Sequence, residues 1–166
     1  NGASWRGRTI EPFIDGKDGW AQWMKDAAVE GRTTTGYYLR KLVDENHDFA
    51  ISQQSTQPWV AFRLAEVYLN YAEACLRKND VEKAVAYIDK VRQRKGVNLP
   101  KLKNVNTVDA AFEALRHERK VELAFEGLYY WDLRRWNVAE RELTGIRRHG
   151  LKIEKMTGDT FRYTYV

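Results

Sequence analysis

The sequence predicts a mainly α fold, built from helical hairpins with long irregular loops around them. Three observations carry that prediction. From Pro58 to Arg77 the strongly polar residues are Arg63, Glu66, Asn70, Glu73 and Arg77, at spacings of 3, 4, 3 and 4. That period places them on one stripe of a helix of about 3.6 residues per turn. Residues 81–91 and 108–136 repeat apolar side chains with the same period. Residues 1–57, in contrast, hold no long clean period and are rich in Gly and charge. The 166 residues suffice for one domain with a real core, read as a loop-rich segment 1–57, a helical scaffold 58–143 and an irregular tail 144–166.

Composition narrows the function classes. Hydrophobic residues make up 43% of the chain, too many for a disordered segment. A net charge of +5, spread along the chain with acids interleaved, does not mark a nucleic-acid partner. The single cysteine, Cys75, leaves no internal disulfide and no cysteine-based zinc site. There is no run of 18 apolar residues and no secretory signal. The chain starts at Asn1-Gly2 and stops on a strand-like run, so it is read as a fragment or processed product in which missing targeting signals carry no information. Six Trp and nine Tyr exceed what a core of this size needs. Rings with an apolar face and a polar edge suit a binding surface.

In order along the chain, residues 1–19 read as loop with short extended pieces. Trp20, Trp23, Met24 and Ala27 have helical spacing and predict a short helix. Gly31–Gly36 is a polar break, 37–43 is a strand or a turn of helix, and 44–57 is a loop. The segment is expected to lie over the helical scaffold. The helix after Pro58 is apolar or small at every other position, so it is expected to be packed on most of its circumference. Glu73 and Arg77 form an i,i+4 pair in the favourable order, and Asn79 can take the left-handed turn that ends the helix.

Asp80 is positioned to cap a second helix, with Val81, Ala84, Val85, Ile88 and Val91 as its apolar stripe and Gly96 beyond its end. The short link makes the two helices an antiparallel hairpin. Its large and small residues, Tyr68, Tyr71, Ala72, Cys75, Ala84 and Ile88, follow tetratricopeptide-like spacing. Small side chains at Ala72 and Ala84 let the helices approach. Thr107 caps a third helix running to about Phe125, whose stripe Val108, Ala111, Phe112, Leu115 continues into Glu118, Arg119 and Glu122. Charges on a buried face must be paired, and Arg134 and Arg135 on a fourth helix, after a turn at Gly127, are the nearest counter-charges. That fourth helix places Tyr129, Leu133 and Trp136 on one face.

These residues carry a resemblance. FRLAEVYLNYAEA at 62–74, VRQRKGV at 91–97 and ERKVELAFEGLYYWDLRRW at 118–136 resemble the SusD/RagB family, and 35–43 and 55–60 resemble its preceding segment. Roughly residues 35–145 are covered, in the family's order. The resemblance implies a SusD-like, mainly helical fold with tetratricopeptide-like hairpins. It implies an outer-membrane lipoprotein of Bacteroidetes, exposed at the cell surface. Such a protein binds a polysaccharide, oligosaccharide or other nutrient and delivers it to a SusC-like TonB-dependent transporter, without cofactor or catalysis. Hairpins face the transporter, and loops present aromatic residues to sugar. The family's lipid-bearing Cys, N-terminal helices and C-terminal tail have no counterpart in these residues, which resemble the C-terminal portion. The position of Tyr129 commonly carries Arg or His, so the Glu118/Glu122 cluster is expected to have one positive partner fewer.

The cluster Glu118, Arg119, Glu122, Glu126, Asp132, Arg134, Arg135 invites a glycosidase reading. Glu118 and Glu122 lie one turn apart on one helix face, whereas glycosidase carboxylates flank the substrate. An ion network locking two helices is the expectation. His47, His117 and His149 lack the spacing of a metal pair, so no metal site is read. Cys75 and the Ser/Thr residues lack the setting of a nucleophile. Tyr68, Tyr71, Phe112, Phe125 and Trp136 are assigned to the core. Trp20 and Trp23, at i,i+3, are the leading candidates for stacking on a pyranose, followed by Trp5 and Tyr37; Tyr38 and Trp59 also lie beside irregular segments. Arg92, Arg94, Lys95 and Arg147-Arg148 are read as solvated helix ends and loops. A rival reading, a cytosolic tetratricopeptide-like adaptor for peptide tails, requires further repeats of that hairpin, which the third and fourth helices do not supply.

Overall fold

The computed structural model describes residues 4–5, 7–19, 37–47, 54–147 and 149–165. The chain divides into two compact units, Asn1–Pro58 with Gly145–Val166, and Trp59–Thr144. The fold is mainly helical. Among the described residues the helices lie in the second unit: α1 (Leu64–Arg77), α2 (Val81–Arg92), α3 (Val108–Glu122), α4 (Tyr129–Arg135) and α5 (Ala139–Leu143).

α1 and α2 form the hairpin read from the sequence, and α3 packs on both. Asn79 takes a φ of +60° between them. The N–H groups of Asn79 and Asp80 donate to the carbonyls of Leu76 and Cys75, both at 3.0 Å, satisfying carbonyls that a helix end leaves open. Asp80 then caps α2 by accepting the Lys83 N–H at 3.1 Å. Thr107 does the same for α3 through Ala110 at 3.2 Å. The core holds Leu69, Ala72, Cys75 and Leu76 of α1, Ala84, Ile88 and Val91 of α2, Ala111 and Leu115 of α3, and Leu123. Each buried Leu or Ile contributes about 1.5–3 kcal/mol of transfer free energy.

Three boundaries differ from the sequence reading. α1 begins at Leu64 rather than near residue 59, because Arg63 stays extended (φ −143°, ψ 164°). Its guanidinium is held by side chains beyond α3 instead of entering the helix. α3 ends at Glu122, and Phe125 sits in the turn at φ +65°, 72% exposed rather than in the core. α4 stops after about two turns, since Asn137 at φ +54° breaks it from α5.

The largest difference concerns the faces of α1. Its apolar residues are not packed all round: Leu64 is 62% exposed, and Val67 and Tyr71 are also exposed. Tyr71, expected in the core, lies instead against Tyr87 at the surface, with centroids 4.5 Å apart. The polar positions Arg63, Asn70 and Glu73 take part in the contacts to α3, α4 and the turn between them. Charged partners waiting there outweigh the apolar faces in setting the rotation of the helix.

In the first unit, β1 (Ser4–Trp5) pairs antiparallel with β2 (Arg8–Thr9), and β3 (Leu151–Lys155) with β4 (Phe161–Tyr165), in register Ile153↔Tyr163. The segment read as an irregular tail thus holds a hairpin, with the strand-like run at its end as β4. Ile14 N–H donates to the Ile153 carbonyl at 2.8 Å, and the Phe13 and Phe161 rings meet at 5.5 Å. Gly19 is required by close approach, since a Cβ there would stand 1.8 Å from the Phe13 carbonyl oxygen. Residues 37–43 form neither strand nor helix. The short helix read over residues 20–30 lies outside the described residues.

Candidate functional site

The charged cluster is an ion network within the second unit. Arg119, buried in the last turn of α3, donates from Nε and Nη2 to the two oxygens of Asp132 at 2.7 and 3.0 Å. Its Nη1 donates to Asn70 Oδ1 at 2.6 Å, so one guanidinium joins α1, α3 and α4. Asp132 also accepts from Arg135 Nε at 2.9 Å. Arg135 reaches back to both oxygens of Glu73, and Trp136 Nε1 donates to the same carboxylate at 3.0 Å. Glu118 accepts from Arg92 at 2.8 Å. Glu122 accepts from Arg63 at 2.6 Å and pairs with Arg94 at 2.7 Å. Arg63 also donates to Glu126, from Nε at 2.9 Å and Nη2 at 2.7 Å.

Helix geometry explains the division. Glu118 and Glu122, one turn apart, meet the arginines at and beyond the C-terminal end of α2, while Arg119, about 100° around the helix from Glu118, meets α1 and α4. Burial pushes the Glu73 carboxyl up, but the hydrogen bonds from Arg135 and Trp136 more than reverse this and leave it below the ordinary carboxylate value. Arg63 is held above its usual value, chiefly by its hydrogen bond to Glu126 and then by Glu122, against the opposing effect of burial.

Five of the partners were not read as such from the sequence: Arg63, Asn70, Glu73, Arg92 and Arg94. The polar stripe of α1 was the available signal: Arg63, Asn70 and Glu73 of that stripe meet Glu122, Arg119 and Arg135. Arg92 and Arg94 looked like solvated helix ends. Arg134 and Arg135, expected to neutralise Glu118 and Glu122, meet neither: Arg134 donates to Tyr130 Oη at 2.9 Å, and Arg135 is taken by Asp132 and Glu73. The absence of a cation at Tyr129 leaves no gap in the pairing, since Arg63, Arg92 and Arg94 supply the charge. A pair of carboxylates on one face of one helix lacks the flanking geometry for glycosidic acid/base chemistry.

Of the aromatic candidates, Trp5 lies half-buried on β1 with the Arg8 guanidinium 5.8 Å from its ring, and Tyr37 is 62% exposed in the irregular segment. Trp20 and Trp23 lie outside the described residues. Tyr38 donates to the Asp18 carbonyl at 2.7 Å, and Trp59 is exposed. Among the described residues no three His, Cys, Asp or Glu side chains could hold a metal ion, and no helix is long and apolar enough to cross a membrane. Cys75 is a buried free thiol.

Comparison with known proteins identifies the setting of this network. No curated protein matches the chain. A solved SusD-like protein from Bacteroides fragilis is 37% identical over 64% of this chain and 20% of its own, with a TM-score of 0.52. A SusD superfamily protein from Bacteroides vulgatus is also 37% identical, over 50% of this chain and 18% of its own, with a TM-score of 0.48. The chain therefore spans about a fifth of the length of these relatives. The model of the SusD family matches residues 1–166, end to end, and the chain belongs to the SusD family.

Proposed function

We propose that this chain is part of a non-catalytic nutrient-binding lipoprotein on the surface of the bacterial outer membrane. It captures oligosaccharide and hands it to a SusC-like TonB-dependent transporter. The observation that carries the reading is the family match over the whole of residues 1–166. The pairing of Glu118 and Glu122 with Arg92, Arg63 and Arg94 supports a binding role, because these carboxylates hold helices together rather than standing ready for a substrate. Aromatic rings in the irregular N-terminal segment, Trp20 and Trp23 first, then Trp5 and Tyr37, are the proposed sugar contacts. Each ring contributes only about 0.5–1.5 kcal/mol beyond area burial, which suits transient hand-over.

The test is affinity purification of the full-length protein from detergent-solubilised membranes of its source cell. A large β-barrel transporter should accompany it from the outer membrane. Recovery as a soluble protein with cytosolic partners would overturn the reading in favour of a peptide-binding adaptor. On a glycan panel, Trp20→Ala and Trp23→Ala should each weaken the best ligand by about three- to tenfold.

A further inference from the structure

Away from the ion network, α3 carries a second polar face, Glu113, Arg116, His117 and Lys120, and between it and the α4–α5 segment lies a pocket of about 140 Å³. This is smaller than the roughly 300–1,000 Å³ that holds a drug-sized molecule, so it has room for a single ring. Leu133, buried, supplies apolar lining, and Tyr129 and Trp136 supply aromatic walls. Trp136 is already occupied by guanidinium groups, Arg135 at 4.5 Å, Arg116 at 5.7 Å and Arg119 at 5.8 Å from its ring. The Lys120 ammonium stands 5.4 Å from the centroid of the Tyr129 ring.

The charges at the rim are unequally satisfied. Glu113 accepts from Arg116 and Arg141, and Glu142 accepts from Arg141 at 2.9 Å. Lys120 and His117, one turn apart on α3, form no ion pair with a carboxylate among the described residues. The pocket thus joins a ring-sized apolar wall, acceptors for hydroxyl groups, and two adjacent nitrogen groups able to meet an anion.

We infer that this pocket binds a carboxylate-bearing pyranose, a uronic-acid sugar, with the ring against Tyr129 and the carboxylate between Lys120 and His117. Glu113 and Glu142 accept hydrogen bonds from its hydroxyls. The site belongs to the helical unit and is separate from the aromatic contacts proposed for glycan capture, so the two fail independently. The experiment titrates the full-length protein with glucuronate, glucose and acetate, following binding by calorimetry and by NMR of the protein. Glucuronate should bind saturably, at least about tenfold tighter than either glucose or acetate. Lys120→Gln and His117→Gln should each weaken glucuronate by about five- to tenfold at an unchanged melting temperature, and Lys120→Arg should keep most of the affinity. Glucuronate no tighter than glucose would overturn the carboxylate assignment, and acetate as tight as glucuronate would overturn the sugar. Binding indifferent to both variants would place it elsewhere and overturn the site.

Discussion

Arg119 spends its whole guanidinium inside the protein, on Asp132 and Asn70. Replacing it leaves a buried carboxylate with part of its charge unmatched. Arg119→Leu should therefore cost about 3–5 kcal/mol in urea unfolding, well beyond its lost packing. Glu73 carries a pH signature. Its folded-state value is held below the ordinary 4.5. A depressed carboxylate contributes stability above its unfolded value, and the contribution is lost as pH falls through the folded one. Glu73→Gln should cost about 1–3 kcal/mol at pH 7. Unfolding measured down the acid range should show the gap to wild type closing below about pH 4.5. Asp18, in the first unit, behaves alike: the Arg8 hydrogen bond lowers it from 3.8 to about 2, so its contribution is complete above about pH 4 and fades towards pH 2.

Among elements, α1 shows two demands resolved at once. Leu69, Ala72, Cys75 and Leu76 enter the common core, while Arg63, Asn70 and Glu73 enter the ion network. Leu64, Val67 and Tyr71 are left on the outer face. Where such a group is buried, as Glu73 is, removing its partner costs several kcal/mol. Core and outer positions should therefore respond differently. Leu69→Ala should lose about 2–5 kcal/mol and Leu64→Ala less than about 0.5, both read from denaturant midpoints. Ala84, fully buried, should resist enlargement, with Ala84→Leu costing about 1–3 kcal/mol by overpacking. At the start of α2, Asp80→Ala should remove about 1 kcal/mol by freeing the Lys83 N–H.

At the scale of the whole molecule, the acidic motif of the helical unit is a fastener. If Glu118 were catalytic, Glu118→Gln would abolish turnover and leave the fold intact. Its bond to Arg92 implies the reverse: Glu118→Gln should lower the melting temperature and leave any reducing-end release by the full-length protein unchanged. Helix existence, both capping residues of the α2 and α3 starts, the Asn79 turn and most core positions were legible in the residues, since each follows from local periodicity or from hydrogen bonds within four residues. The membership of the ion network was only half legible. Glu118, Arg119 and Glu122 stood out as charges on an apolar face, but of the two counter-charges read for them Arg135 meets Asp132 and Glu73 instead and Arg134 turns away, because adjacent residues on a seven-residue helix point about 100° apart and only one of them can face α1.

The sequence by itself determined the class of fold, the order of its helices and the family to which it belongs, for these rest on patterns spread along the chain. Only the tertiary structure decided which carboxylate meets which guanidinium, and with that the rotation of α1 and the start of α1 at Leu64. Those pairings join residues separated by about 60 positions, as Arg63 is from Glu122 and Glu73 from Arg135. Local propensity carries no information about such partners. Their choice follows from helix packing, which brings buried charges within reach of one another and makes every unpaired alternative costly.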